Sequence, residues 1–245
     1  MCIRDSYQTV ESCIETVDIA VQMRPDRFAV FGYAHIPTFK KHQRLIDESA
    51  LPDAQGRHTQ AEAIADRLVA AGYRRIGLDH FALPEDELAV AQREGRLHRN
   101  FQGYTTDACE TLVGLGASAI GKFAQGYHQN EVPPGLYASR VSSGELPTAK
   151  TYSMTAEDRL RGEIIERLMC DFSADIASIC ASHGFDVEPL LRDNRALDAL
   201  EADGLIRRSE SMVEVDHRHR FVVRAVAAAF DAYLGASQRT YSKAA

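Results

Sequence analysis

No run of roughly 18 or more apolar residues occurs in this chain, so no membrane-crossing helix is expected. Its first residues carry no apolar stretch of the kind that marks a secretory leader. Positive charge is scarce. Lys and Arg number 28 against 35 Asp and Glu, a formal net charge of -7, which argues against non-specific nucleic-acid binding. Cysteine is sparse, odd in number and widely spaced: Cys2, Cys13, Cys109, Cys170 and Cys180. That pattern fits reduced thiols in a cytoplasmic protein and not a disulfide framework. Cys170 and Cys180 fall on helical-looking stretches and read as small buried apolar groups in preference to metal ligands. Internal repeats and low-complexity segments are also missing; the alanine-rich run at 225–229 is simply a good helix former.

What is present is 245 residues, 45% of them hydrophobic, enough for a sizeable core and one large domain or a domain with a smaller companion. Met1 to Ser6 do not read as the start of a domain and are expected to be foreign to the fold, in which case Cys2 carries no meaning. Three segments follow. In the first, Val10, Ile14, Val17 and Val21 share one face of a helix over 9–23, which Pro25 ends, and Arg27–Tyr33 reads as a buried strand. Helix then strand is half of a βα repeat and suggests a parallel sheet. In the second, Thr59 is the expected cap of a helix bearing Ala63, Ile64, Leu68 and Ala71, closed by Gly72. Arg75–Asp79 is the next strand. Pro84 opens a helix that Gly95 ends, and 111–127 reads as short strands joined by tight turns.

The third segment, from about Ser153, is mostly helical. Thr155 and Asp158 resemble a capping box. Helices are expected at 155–170, 173–183 and 187–201, then strands at 205–208 and 212–215 and a last helix at 217–234. Helix, two-strand wing and helix make a winged-helix-like unit. The boundaries expected are therefore 7–150 for an α/β part, 151–236 for the helical part and 237–245 for a tail.

Several motifs carry more than one reading. Gly116 to Lys122 matches G-x-x-x-x-G-K, but Phe123 stands where a phosphate loop needs Ser or Thr, and no clear helix follows. Asp79 and His80 end a predicted strand, where sheets of this class place ligands; the plainer alternative is a structural Asp–His hydrogen bond. Glu85, Asp86 and Glu87 read as a solvated first turn. Arg93, Arg96, His98 and Arg99 form a basic cluster that suits carboxylates, or else merely the end of a helix. Beside Phe101-Gln102-Gly103-Tyr104-Thr105-Thr106, it could sit at the mouth of a site for an anionic ligand. Asp216-His217-Arg218-His219-Arg220 is locally basic and invites a DNA-binding reading that the acidic chain opposes.

Residues Gly77-Leu78-Asp79-His80-Phe81-Ala82, Asp86-Glu87-Leu88-Ala89 and His98-Arg99-Asn100-Phe101-Gln102-Gly103-Tyr104-Thr105-Thr106 are uncommon words in a fixed order. With Tyr33-Ala34-His35-Ile36-Pro37-Thr38 and Gly114-Leu115-Gly116-Ala117-Ser118-Ala119-Ile120, they resemble the oxygen-independent coproporphyrinogen III oxidases, radical S-adenosylmethionine enzymes of haem synthesis. The resemblance runs from Gln8 onward. That family holds its iron–sulfur cluster on Cys-x3-Cys-x2-Cys, which this chain lacks. The chain therefore resembles the C-terminal part of the enzyme, without the cluster-binding part.

The resemblance implies an α/β fold: the C-terminal part of a radical S-adenosylmethionine (βα) partial barrel followed by a winged-helix-like domain. It implies oxidative decarboxylation of two propionates of coproporphyrinogen III to vinyl groups, giving protoporphyrinogen IX. S-adenosylmethionine and a [4Fe-4S] cluster would serve as cofactors, with an electron donor and an acceptor as partners. Ala34 and Ile120 would lie beside S-adenosylmethionine, with Phe101 and Gln102 near the active site. Arg96 and Arg99 are then candidates for propionate contact. A cytoplasmic enzyme, monomeric at full length, with no nucleic-acid or membrane partner, is implied, as is inactivity of this polypeptide alone. A haem-chaperone paralogue and a winged-helix DNA-binding regulator are the alternatives.

Overall fold

The computed structural model describes residues 6–234. The expectations for residues 1–5 and for the tail 237–245 lie outside them. Helix α1 (Val10–Gln22) opens with a reciprocal cap: the Thr9 hydroxyl accepts from Ser12 N, and the Ser12 hydroxyl accepts from Thr9 N. The apolar face read from the sequence packs on helix α2 (Ala54–Ala70), burying Val17 with Ala65 and Leu68. α2 starts earlier than expected. Asp53 caps it by accepting from Gly56 N at 2.7 Å. Thr59 lies inside the helix, and its hydroxyl donates back to Gln55 O.

Strands β1 (Arg27–Ala29), β2 (Arg74–Ile76) and β3 (His80–Ala82) form one sheet in the order β1-β3-β2. The two strands read as Arg27–Tyr33 and Arg75–Asp79 are thus much shorter. The expected parallel pairing is also corrected, since every ladder among the described residues is antiparallel. The cause is local. Gly77, at φ +54°, reverses the chain after Ile76, so 80–82 folds back on 74–76. β1 and β2 run in the same direction on either side of β3.

Helix α3 (Glu87–Arg93) is capped by Asp86 and not opened by Pro84; the same carboxylate takes Arg27 Nε at 2.7 Å and ties β1 to α3. Hairpin β4 (His98–Asn100) and β5 (Gly103–Thr105) carries Phe101 and Gln102 at its tip. Strands β6 (Ile120–Phe123) and β7 (Gly126–Asn130), joined by a tight turn at Ala124 and Gln125 as expected of this stretch, form a hairpin. The sequence reading missed helix α4 (Pro134–Ser142) and strand β8 (Thr148–Ser153), which pairs with β7.

Helix α5 (Ala156–Asp171) has the capping box expected of Thr155 and Asp158. It serves two cores. Leu160, Ile164 and Leu168 face the C-terminal core, whereas Cys170 joins Ile76, Leu88, Leu97 and Tyr104 in the other. Phe172, at φ 59°, ends α5. Residues 173–175, expected as helix, then form strand β9 (Ser173–Asp175), because β11 offers them an edge. Helices α6 (Ile176–His183), α7 (Glu188–Leu191) and α8 (Arg195–Ala202) follow, then the wing strands β10 (Ile206–Ser209) and β11 (Met212–Val215). The expected last helix is a 3-10 segment, His217–Val222, kinked at His219, and a short helix α9 (Val223–Ala228). No helix among the described residues is long and apolar enough to cross a membrane.

Candidate functional site

The short strands deliver polar residues to one open cleft of about 220 Å³. Its walls include Phe31, Asp79, His80, Arg99, Phe101 and Gln102. β3 begins at His80, and the β4–β5 tip supplies the aromatic and the amide. Asn100 accepts from Gln102 N at 2.8 Å and stiffens that tip. From α5, Glu166 accepts from Arg99 N at 3.0 Å and pairs with His98 Nδ1 at 3.1 Å, fixing the hairpin's base.

The turn 77–79 behind the cleft is held from several elements. Arg220 Nη2 donates to Gly77 O at 2.8 Å. The Tyr104 hydroxyl accepts from Leu78 N at 2.9 Å and donates to Met169 O at 3.0 Å. Arg224 Nη2 lies 3.8 Å from Asp79 Oδ2. Burial pushes the Tyr104 phenol up to about 12. Burial also pulls the Arg220 guanidinium down to about 10, with its charge stacked over the Phe172 ring. It remains charged near neutrality.

His80 Nδ1 donates to Asp79 Oδ1 at 2.8 Å; a carboxylate can only accept. Burial alone would raise the Asp79 carboxyl. The His80 hydrogen bond and the charges of His80, Arg224 and Arg99 outweigh it and hold the group below its ordinary value. Arg99 sits over the Tyr104 ring, 5.6 Å from its centroid, and the described residues give its guanidinium no acidic partner within 4 Å. Arg96 differs. It forms an ion pair with Glu94, is more than half exposed, and does not line the cleft.

Ala34 and Ile120 also lie off the walls of that cleft. Buried Gln43 holds the Ala34 segment: its amide donates to Ala34 O and accepts from Ile36 N. Buried Asn130 donates to Gly114 O and Gly116 O, locking the loop before Ile120. A side chain at Gly114 would collide with the Ile120 backbone, 2.8 Å away. The Phe101 ring meets Tyr127 of β7 edge-on at 5.3 Å, joining the hairpin tip to the sheet that contains Ile120. Gln43, Asn130, Arg220 and Arg224 escaped the sequence reading. Gln43 stands between His42 and Arg44 and Asn130 between Gln129 and Glu131, so nothing in the sequence marked either for burial; Arg224 gave no signal, and Arg220 read only as part of a basic stretch.

Other motifs resolve plainly. Gly121 and Lys122 lie in a strand, so no phosphate loop forms at 116–122. Asp86 is a cap. Cys170 and Cys180 are buried, and no group of three or more His, Cys, Asp or Glu among the described residues could hold a metal ion. The wing's cations are occupied: Arg207 by Glu214, Arg208 by Asp198 and Glu201, and Arg218 by Asp216. Arg220 is turned inward, so each of these four arginines has a partner among the described residues.

A family model described as the HemN C-terminal domain matches residues 154–222. An oxygen-independent coproporphyrinogen III oxidase of Bradyrhizobium diazoefficiens is 54% identical over 238 residues, 97% of this chain and 53% of that protein. One from Thermostichus vulcanus is 42% identical over 241 residues, and the chain covers 74% of it. This chain belongs to the oxygen-independent coproporphyrinogen III oxidase family. A solved structure, titled as the Escherichia coli coproporphyrinogen III oxidase (HemN), a radical SAM enzyme, matches with a TM-score of 0.87 at 37% identity. The match covers 94% of this chain and 53% of that one. The α/β class and the radical-enzyme resemblance therefore hold for this family member. The chain spans about half the length of the Bradyrhizobium oxidase, and its cleft is formed within that half.

Proposed function

We propose that this chain forms the substrate-facing part of an oxygen-independent coproporphyrinogen III oxidase, dividing near residue 150 into a catalytic part and a helical part. The observation that carries the reading is the cleft. It places an acid-free guanidinium, Arg99, beside an aromatic ring and an amide at the tip of a braced hairpin. A tetrapyrrole bearing propionates needs a cation for a carboxylate and a flat apolar surface for a pyrrole.

The reaction class converts each propionate to a vinyl group and carbon dioxide, releasing one proton and two electrons. S-adenosylmethionine together with a [4Fe-4S] cluster, an electron donor and an acceptor would supply the oxidation. The described residues do not fit the cluster: they include no ligand set, and Cys13, Cys170 and Cys180 are buried. This polypeptide alone should not turn over. S-adenosylmethionine is assigned to the segments of Ala34 and Ile120. What supports this is that Gln43 holds the backbone at Ala34 and Asn130 holds the loop before Ile120, which suits ligand contact through main-chain groups. Phe101 and Gln102 would hold the reacting edge of the tetrapyrrole. Of the two arginines, Arg99 is the better assigned to a propionate, because Arg96 already has Glu94. A cytoplasmic enzyme, monomeric at full length, completes the reading.

The test is a fluorescence titration of the chain with coproporphyrin III, the stable oxidised tetracarboxylate. Saturable binding should weaken at least tenfold in Arg99→Glu and change little in Arg96→Glu. Absence of binding, or equal effects of the two variants, would overturn the assignment.

A further inference from the structure

Asp79 and His80 stand in the cleft, and the proposed reading leaves them without a task. The geometry of the dyad is specific. Nδ1 of His80 is committed to Asp79, and Nε2 makes no hydrogen bond to a described residue. The ring is only partly exposed, at 21%. Its plane is set edge-on to Tyr104, with centroids 5.2 Å apart. Gly103 keeps Nε2 open. A Cβ there would stand 3.2 Å from Nε2 and 3.4 Å from Cε1, so a side chain would cover the nitrogen; the residue's φ of +132° also favours glycine.

The charges favour an anion. Asp79 is the acid of the cleft wall, and it is offset by His80, by Arg224 from α9 and, at longer range, by Arg99. Arg99 from β4 and His80 Nε2 remain for a ligand. Tyr104 of β5, the other titratable group against the ring, stays neutral. A cleft of about 220 Å³ is smaller than usual small-molecule pockets of roughly 300–1,000 Å³. It suits one carboxylate-bearing edge of a large ligand and not the whole of it.

We propose that His80, oriented by Asp79, donates through Nε2 to a carboxylate of the bound tetrapyrrole, with Arg99 as the second cation of the same mouth. This rests on the function proposed above. A ring that donates from both nitrogens, Nδ1 to Asp79 and Nε2 to the ligand, is an imidazolium, a cation set against an anion. Asp79 and Arg224 are positioning residues: they orient the ring from behind.

The experiment compares coproporphyrin III with its tetramethyl ester, which keeps the macrocycle and lacks the carboxylates. His80→Gln should lower affinity for the free acid about tenfold while leaving ester binding within about twofold. Asp79→Asn and Arg224→Gln should show a smaller loss with the same selectivity, which a merely structural defect would not produce. Equal losses for acid and ester in His80→Gln, or no loss for either, would overturn the role of His80 while the cleft reading stands. Failure of the unaltered chain to bind either probe would overturn the cleft reading and this inference with it.

Discussion

Replacing Tyr104 by Phe removes one oxygen and leaves the packing of the ring intact. That oxygen is the sole side-chain partner of two backbone groups, the half-buried Leu78 N–H and the buried Met169 carbonyl. Met169 lies in the last turn of α5, where carbonyls have no intrahelical partner. Each stranded group costs about 1–3 kcal/mol, so the substitution should destabilise the chain by about 2–6 kcal/mol. At roughly 2–4 °C per kcal/mol for a chain of this size, Tm should fall by about 10 °C. Circular dichroism melts of the two proteins at neutral pH would measure it. An alkaline series adds a second reading. The folded-state phenol sits at about 12, above its ordinary value, so it contributes stability that is complete below pH 10 and is lost as pH rises through 12. The gap between the two proteins should therefore narrow across that window. A fall in Tm of less than about 2 °C, or a gap that widens from pH 10 to 12, would refute the argument.

Gly77→Ala should be worse, because its methyl would stand within the Tyr104 ring at a positive φ; urea midpoints should drop sharply, or soluble protein should be lost. Thr155→Ala removes the α5 capping box and should cost about 1 kcal/mol, a Tm loss of about 2–4 °C in the same melts. Site-resolved mass spectrometry after brief alkylation should find Cys109 modified in the folded chain. Cys170, whose thiol is pushed up to about 12 by burial, should react only on unfolding. A gel-shift series at low salt should show no DNA complex, since the wing's arginines are already paired.

What could be read along the chain was what is encoded locally. The Thr155 cap, the α1 apolar face and the β10–β11 hairpin depend on neighbours a few residues away. The rest depends on distant partners. β9 is three residues long and exists because β11 offers an edge, so no run of β-formers announces it. Thr59 was the wrong cap because Asp53 lies six residues earlier and reaches Gly56. The Asp79–His80 dyad and the Phe101–Gln102 tip were legible as words, but not their meeting, which the reversal at Gly77 creates. Arg220 read as part of a basic patch, yet it is turned inward to a carbonyl.

That carbonyl, of Gly77, lies 143 residues before its partner. Closing so long a loop is entropically slow to arrange. A ribosome adds roughly 5–20 residues per second, so the partner follows about 7–30 s after the turn has been made. Until then the turn lacks the arginine that holds it. The turn that carries Asp79 to the cleft therefore gains this brace only after residue 220 has been made.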